Sequence, residues 1–230
     1  MSTSSRQSIR LAAVRAAWVT GLWGCMMLWS VWYYSQRYAV GQLLSTSRAG
    51  EYLGAVTEQT FMVCLPELLF LAGALLVWRR ASLRRLSLSP GGTKVRWLTA
   101  ALAVFYALCL IVQALRSGDW PTTVFRWVYY LFFIAFLEEF LFRALFPALL
   151  HGYGSERLER LLPAVLFALS HSLLPTVTGG VGAGIRAAAS GLLGYTLSGL
   201  AWDWLRRRTR SLWPGVLIHA LMDFGFFFGA

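Results

Sequence analysis

The sequence is short of acid. Asp and Glu number 10 in 230 residues against 21 Lys and Arg, and charged residues of both signs make up only 13% of the chain. A soluble domain carries about twice that share, so a soluble globular class is excluded. Cysteine is also scarce. Cys25, Cys64 and Cys109 lie in three different apolar runs without metal-ligand spacing, which excludes a disulfide framework. They are expected to be small buried apolar residues. Histidine occurs three times, and never as H-E-x-x-H, so the usual helix of a zinc protease is missing. No linker, low-complexity tract or clear internal repeat interrupts the chain. Tandem domains are therefore excluded, and the paired repeats of a transporter are not visible.

What is abundant is apolar surface. Hydrophobic residues make up 57% of the chain, with 11 Trp and 15 Phe. The class is integral membrane protein, a single domain over 1–230 with little outside the bilayer. Seven apolar runs are candidate spans, at about 16–35, 60–78, 97–115, 127–150, 161–175, 183–203 and 212–229. The expected fold is an all-α polytopic bundle. The first run is too long for a signal h-region and is expected to remain as an uncleaved span.

Basic residues test the partition. With the N-terminus in the cytoplasm, segments inside hold 15 Lys and Arg and segments outside hold 5, with Arg143 within a span. That bias follows the positive-inside rule. It also removes a nucleic-acid role, because the basic residues fall in short clusters between spans. The stretch 179–202 is rich in small residues. Ser190, Gly194 and Ser198 recur at four-residue spacing, as do Ala187 and Gly191, and such faces are expected to pack closely.

The informative residues are those that do not belong in a membrane. An ionised side chain at mid-bilayer costs about 2.5–3.5 kcal/mol on insertion scales, so each survivor is a candidate site residue. Glu138, Glu139 and Arg143 lie together in "FLEEFLFR". Glu139 precedes Arg143 by four residues, the favourable order for a pair on one helix face. Glu138 is rotated by about 100° from Glu139 and left available for chemistry. The alternative is an ion-pair network that only fixes helix packing. His171 lies in the fifth span, and His219 and Asp223 share one face of the seventh. Counted from the span ends, His171, Asp223 and Glu138 reach similar depths of roughly 15–18 Å, with His219 about one turn nearer the cytoplasm. Glu67, beside Pro66, either caps a proline break or lines a cavity, and His151 is expected in solvent. A carboxylate with an imidazole in a water-excluding pocket can activate water, and a second imidazole can support a developing oxyanion. That set suits amide hydrolysis. Ser170 and Ser172 flank His171 but read as helix residues.

Three motifs occur in order on separate spans. "EEFLFR" fits Glu-Glu-x-x-x-Arg, "FALSH" fits Phe-x-x-x-His, and "HALMD" fits His-x-x-x-Asn/Asp. Residues 131–225 thereby resemble the CPBP family, the CAAX proteases and bacteriocin-processing enzymes also called the Abi family. The resemblance implies a glutamate-dependent intramembrane endopeptidase, a helical bundle around a conical cavity, with 131–225 as its catalytic core. By that resemblance Glu138 and His171 activate the water, His219 and Asp223 take the oxyanion side, and Glu139 and Arg143 organise the site. Asp223 stands where the best-studied members have asparagine, which leaves its role open between a protonated donor and a group orienting His219. The implied partners are membrane lipid and a peptide or protein substrate with a membrane-associated segment. That segment is a CAAX-like or sorting-signal C-terminus, or a peptide precursor. The implied location is a plasma membrane, as a multi-pass protein, with a bacterial inner membrane expected. No cofactor is expected. Zinc held by His171, His219 and Glu138 is the second reading, and a non-catalytic immunity or scaffold protein of the same fold is the third.

Overall fold

A computed structural model describes residues 3–44, 48–69, 72, 86–152 and 155–225, and every regular element among them is helical. Helix α1 spans Thr3–Leu44 and α2 spans Arg48–Gln59, continuing through a π-helical turn at Thr60–Cys64. Helix α3 is Thr93–Ser117. Helix α4 is one rod over 120–150, with two π-helical segments, Tyr130–Ala135 and Phe140–Leu145, inserted in it. Helices α5, α6 and α7 are Glu156–Ser170, Leu173–Thr209 and Trp213–Gly225.

Local sequence explains the ends. Gly118 closes α3 in the left-handed region at φ 68°, where an L side chain is strained. Asp119 then caps α4, its carboxylate accepting from Thr122 N–H at 3.3 Å, with a proline in the first turn, the favoured pairing at a helix start. Ser155 caps α5 in the same way, followed by Glu156 and Glu159 in the first turn, where acid complements the helix dipole.

Two helices, Ile9–Tyr33 within α1 and Thr93–Ser117, are long and apolar enough to cross a membrane, and α5 with α6 forms a pair bent by 72° that passes the same test together. Their outer faces are apolar: Leu28, Trp97, Val181 and Leu193 are each more than 70% exposed. A belt of that kind marks a surface that a bilayer covers. This is a helical membrane protein.

The expected 161–175 span is not one helix. α5 ends at Ser170, and His171 and Ser172 form the turn into α6. α6 itself breaks at Gly180, whose φ of 79° and ψ of 174° are not helical. His171 is therefore a helix-end residue at a bend rather than one within a straight span. The close-packing positions also differ from expectation. Ser190 and Gly194 are exposed, whereas Gly199 is buried, and a Cβ there would lie 3.1 Å from the Ala164 backbone. The contact between α5 and α6 uses a glycine outside the repeating stripe. Cys25 is exposed rather than buried, and Cys64 and Cys109 are half-buried; all three are free thiols. Residues of the expected second and seventh spans beyond 72 and 225, and the arginines at 79, 80, 84 and 85, lie outside the described residues.

The core lies around the second half of α4. Leu141, Phe142, Leu145, Phe146, Leu149 and Leu150 are buried there with Leu166 and Phe167 of α5 and Val216 and Ala220 of α7. Polar ties fix neighbouring helices against it. Tyr106 of α3 donates to the Trp127 carbonyl at 2.7 Å, and Trp127 Nε1 donates to Gln113 Oε1 at 2.8 Å. Trp23 of α1 donates to Ser170 Oγ at 2.9 Å, which anchors the end of α5 one residue before His171.

Candidate active site

The site begins with the local geometry of α4. The short α-helical piece Phe136–Glu139 sits between the two π segments. Each π turn takes in an extra residue and re-aims the side chains around it. Here the insertions bracket the Glu-Glu pair and divide it. Glu139 is buried, at 1% exposure, while the Glu138 side chain is 31% exposed.

Glu139 faces inward to two partners. Its Oε1 accepts from His219 Nδ1 at 3.0 Å, and its Oε2 lies 3.6 Å from Arg143 Nε. The second contact is an ion pair without a direct hydrogen bond, and all three Arg143 nitrogens are buried without a hydrogen-bond partner. The guanidinium is held instead by the face of Phe167, with Cζ 3.9 Å from the ring centroid. A cation stacked on a ring in a dry site gains more than it does in water.

His219 is the hub. Because Nδ1–H donates to Glu139, Nε2 is the nitrogen that faces the rest of the site, and it can donate only in the imidazolium form of His219. Nε2 faces Glu138 Oε2 at 3.6 Å and Asp223 Oδ1 at 3.7 Å. Both separations exceed a direct hydrogen bond, so Nε2 faces two carboxylates without being hydrogen-bonded to either. Trp202 of α6 lies nearly parallel to the His219 ring, with centroids 6.2 Å apart.

His171 enters the cluster through aromatic rings. Phe167 meets it edge-on at 4.6 Å and meets His219 in the same way at 6.2 Å. Tyr195 stacks on the other face of His171, at 3.8 Å and 21°. His171 Nδ1 is 2.9 Å from the Phe167 carbonyl. A carbonyl only accepts, so Nδ1 carries the proton and Nε2 keeps its lone pair. The bend after Ser170 thus presents a basic nitrogen. Among the described residues no hydrogen bond or ion pair joins His171 to either glutamate.

Glu138, Glu139, Arg143, His219 and Asp223 are therefore brought into direct contact as one network, and His171 is one ring away. Glu67 belongs near it. It is 2% exposed, both carboxylate oxygens are buried without a hydrogen-bond partner, and it lies within electrostatic reach of Glu138. It does not cap the proline break. An unpaired buried polar group costs about 1–3 kcal/mol, so Glu67→Met is expected to leave the melting temperature in detergent unchanged or raise it. A clear drop in melting temperature would contradict the assignment of Glu67 as an unpaired acid.

Sequence reasoning missed Tyr195, Trp202 and the ring-over-guanidinium role of Phe167. Only Phe167 carried a signal, as the first residue of Phe-x-x-x-His. It also missed Asp203, which is buried and holds Arg206, Arg207 and Arg160 at 3.0, 2.8 and 3.4 Å, locking the end of α6 to the start of α5. His151 is half-exposed and pairs with Glu159 at 3.2 Å rather than being merely solvated. Among the described residues no three His, Cys, Asp or Glu side chains are grouped so as to hold a metal ion, so the zinc set of His171, His219 and Glu138 gains no support.

No curated protein and no solved structure matched the chain. A family model did, over residues 119–225: type II CAAX prenyl endopeptidase Rce1-like. The matched segment runs from the Asp119 cap of α4 to the end of α7 and contains every residue of the network except Glu67. Residues 119–225 are thus similar to the type II CAAX prenyl endopeptidase Rce1-like family, a match consistent with the CPBP and CAAX proteases.

Proposed function

We propose that the chain is a glutamate-type intramembrane endopeptidase acting on a peptide bond of a membrane-associated segment. The observation that carries this reading is the approach of the Glu138 and Asp223 carboxylates to His219 Nε2, with Glu138 the more exposed member of the Glu-Glu pair. In the proposed reaction Glu138 takes a proton from water. The resulting hydroxide adds to the carbonyl carbon of the scissile bond. The carbonyl oxygen gains negative charge, and His219, as the imidazolium with Nδ1–H on Glu139, donates its Nε2–H to it. Glu139 holds that proton in place by fixing Nδ1, and Arg143 balances Glu139. When the C–N bond breaks, the proton taken by Glu138 goes to the leaving amine.

In this reading His171 Nε2 is a second acceptor for the water, the role the family resemblance implies, and Asp223 orients His219 rather than donating. The substrate is proposed to be a CAAX-like or sorting-signal C-terminus, or a peptide precursor. Seven spans with a cytoplasmic N-terminus, in a bacterial inner membrane, complete the reading. The bias of arginines and lysines supports that orientation.

The test is cleavage of membrane-anchored reporter peptides by the protein in proteoliposomes, with and without chelator. Wild type is expected to cleave equally in both. His171→Ala is expected to lose at least about 100-fold in kcat/KM, the usual scale for a lost proton-transfer partner, with its melting temperature kept. Loss of cleavage in chelator, restored by zinc, would favour the metalloprotease reading instead.

A further inference from the structure

A cavity lies away from the peptidase network, at the far end of α4. It has a volume of about 460 Å³ and is walled by Ser87, His151, Glu159, Arg206, Arg207 and Arg210, with the α4 end at Pro147 and Ala148. Ala148 is roughly 15 Å along the helix axis from Glu138, so the two sites are separate. The walls are tied together. Leu212 N–H donates to the Ser87 carbonyl at 3.0 Å, and Trp213 Nε1 donates to the Leu88 carbonyl at 3.1 Å. These bonds fix the segment before α3 against the start of α7.

The charge of this cavity is basic. Glu159 is its only acid among the described residues, and it is already engaged by His151 Nδ1 and by the Gly152 N–H, each at 3.2 Å. Arg206 gives Nη1 to Ser87 Oγ at 3.2 Å and Nη2 to Asp203 Oδ1 at 3.0 Å, which leaves its Nε buried without a partner. Arg207 gives Nε to Asp203 at 2.8 Å and leans on Glu156 at 3.6 Å. Arg210, at φ 55°, is the exposed residue that ends α6. Arginines near a helix C-terminus also complement its dipole. That simpler reading accounts for charge at the helix end, but not for a concave site of about 460 Å³ lined by three arginines whose one acid among the described residues is already engaged.

We propose that this cavity binds the phosphate group of an anionic membrane lipid. Arginine forks match phosphate oxygens, and the volume falls in the range of small-molecule sites. The position also fits. The cavity opens where α4 and α6 end in a basic cluster beside Trp213, the kind of residue that sits at the headgroup layer. Basic pockets between membrane helices at that level take lipid head groups. The proposal does not depend on the peptidase reading.

The test uses the full-length protein in a neutral detergent. Its melting temperature is followed while short-chain phosphatidylglycerol, phosphatidylcholine of the same chain length, or inorganic phosphate is added. A ligand that binds only the folded state raises the midpoint in a saturable way. Phosphatidylglycerol is expected to do so and phosphatidylcholine is not. Arg210→Gln, outside the Asp203 network, is expected to raise the half-saturating concentration about tenfold, the scale of one lost charged contact. Arg206→Lys keeps a positive charge near Asp203 but loses the planar guanidinium fork, and a similar weakening is expected. Should Arg206→Lys not fold, Arg210→Gln alone decides the matter. Equal shifts with both lipids, or wild-type half-saturation in Arg210→Gln, would overturn the proposal. A full shift with inorganic phosphate where phosphatidylglycerol gives none would overturn the lipid source.

Discussion

Glu138→Gln is expected to abolish cleavage of a confirmed substrate while the protein keeps its wild-type melting temperature. The substitution preserves shape and the ability to hydrogen-bond, and removes only the capacity to take a proton. A lost general base typically costs about 10²–10⁴-fold in rate. Stability should not follow, because the Glu138 side chain is 31% exposed and its nearest partner, His219 Nε2, is 3.6 Å away. Glu139→Gln provides the contrast. Glu139 is buried at 1% exposure and holds both His219 and Arg143. Its neutralisation should lower the melting temperature and activity together. The assay is kcat/KM in proteoliposomes beside thermal unfolding in detergent. A Glu138→Gln variant that cleaves at the wild-type rate would remove Glu138 from the mechanism and leave the constellation as a packing network.

The two glutamates separate along α4 for a reason that only part of the sequence carried. Four-residue spacing made the Glu139–Arg143 and His219–Asp223 pairs legible, because on a helix that spacing is contact. Rarity did the rest: an acid or imidazole in an apolar run stands out against its background. What was not legible is whatever depends on how apolar helices meet. Tyr195 on His171, Trp202 beside His219 and Phe167 over Arg143 are aromatic residues in aromatic-rich helices, and no spacing rule distinguishes them from lipid-facing neighbours. The bend after Ser170 was hidden because "FALSHSLLP" reads as unbroken apolar helix until Pro175. The structure ends the helix earlier, and Trp23 grips Ser170 at that point. The π segments around Glu138 and Glu139 have no signature in composition either. The helical membrane class was readable from scarce charge together with long apolar runs, and among the described residues two helices meet the length and apolarity of a span on their own.

Arg143→Met is expected to be the most destabilising change in the network, by about 3–5 kcal/mol, the scale for breaking a buried pair from one side. Methionine fills most of the apolar volume, so the loss reports charge rather than cavity. It strands Glu139, which lies at 1% exposure with His219 as its remaining partner. It also removes the cation from the face of Phe167. The pairing makes a sharper forecast for the double variant. Adding Glu139→Gln removes the stranded charge and keeps an oxygen for the His219 Nδ1 proton. Replacing both members of a buried pair by neutral groups is often close to neutral, so the double variant should recover at least half of the loss. Thermal unfolding of the four proteins in one detergent closes a double-mutant cycle. Additive losses would mean that Glu139 and Arg143 do not act on each other. Strong coupling would mean that Arg143 serves to keep Glu139 charged and in place, so that His219 holds its proton toward Glu138.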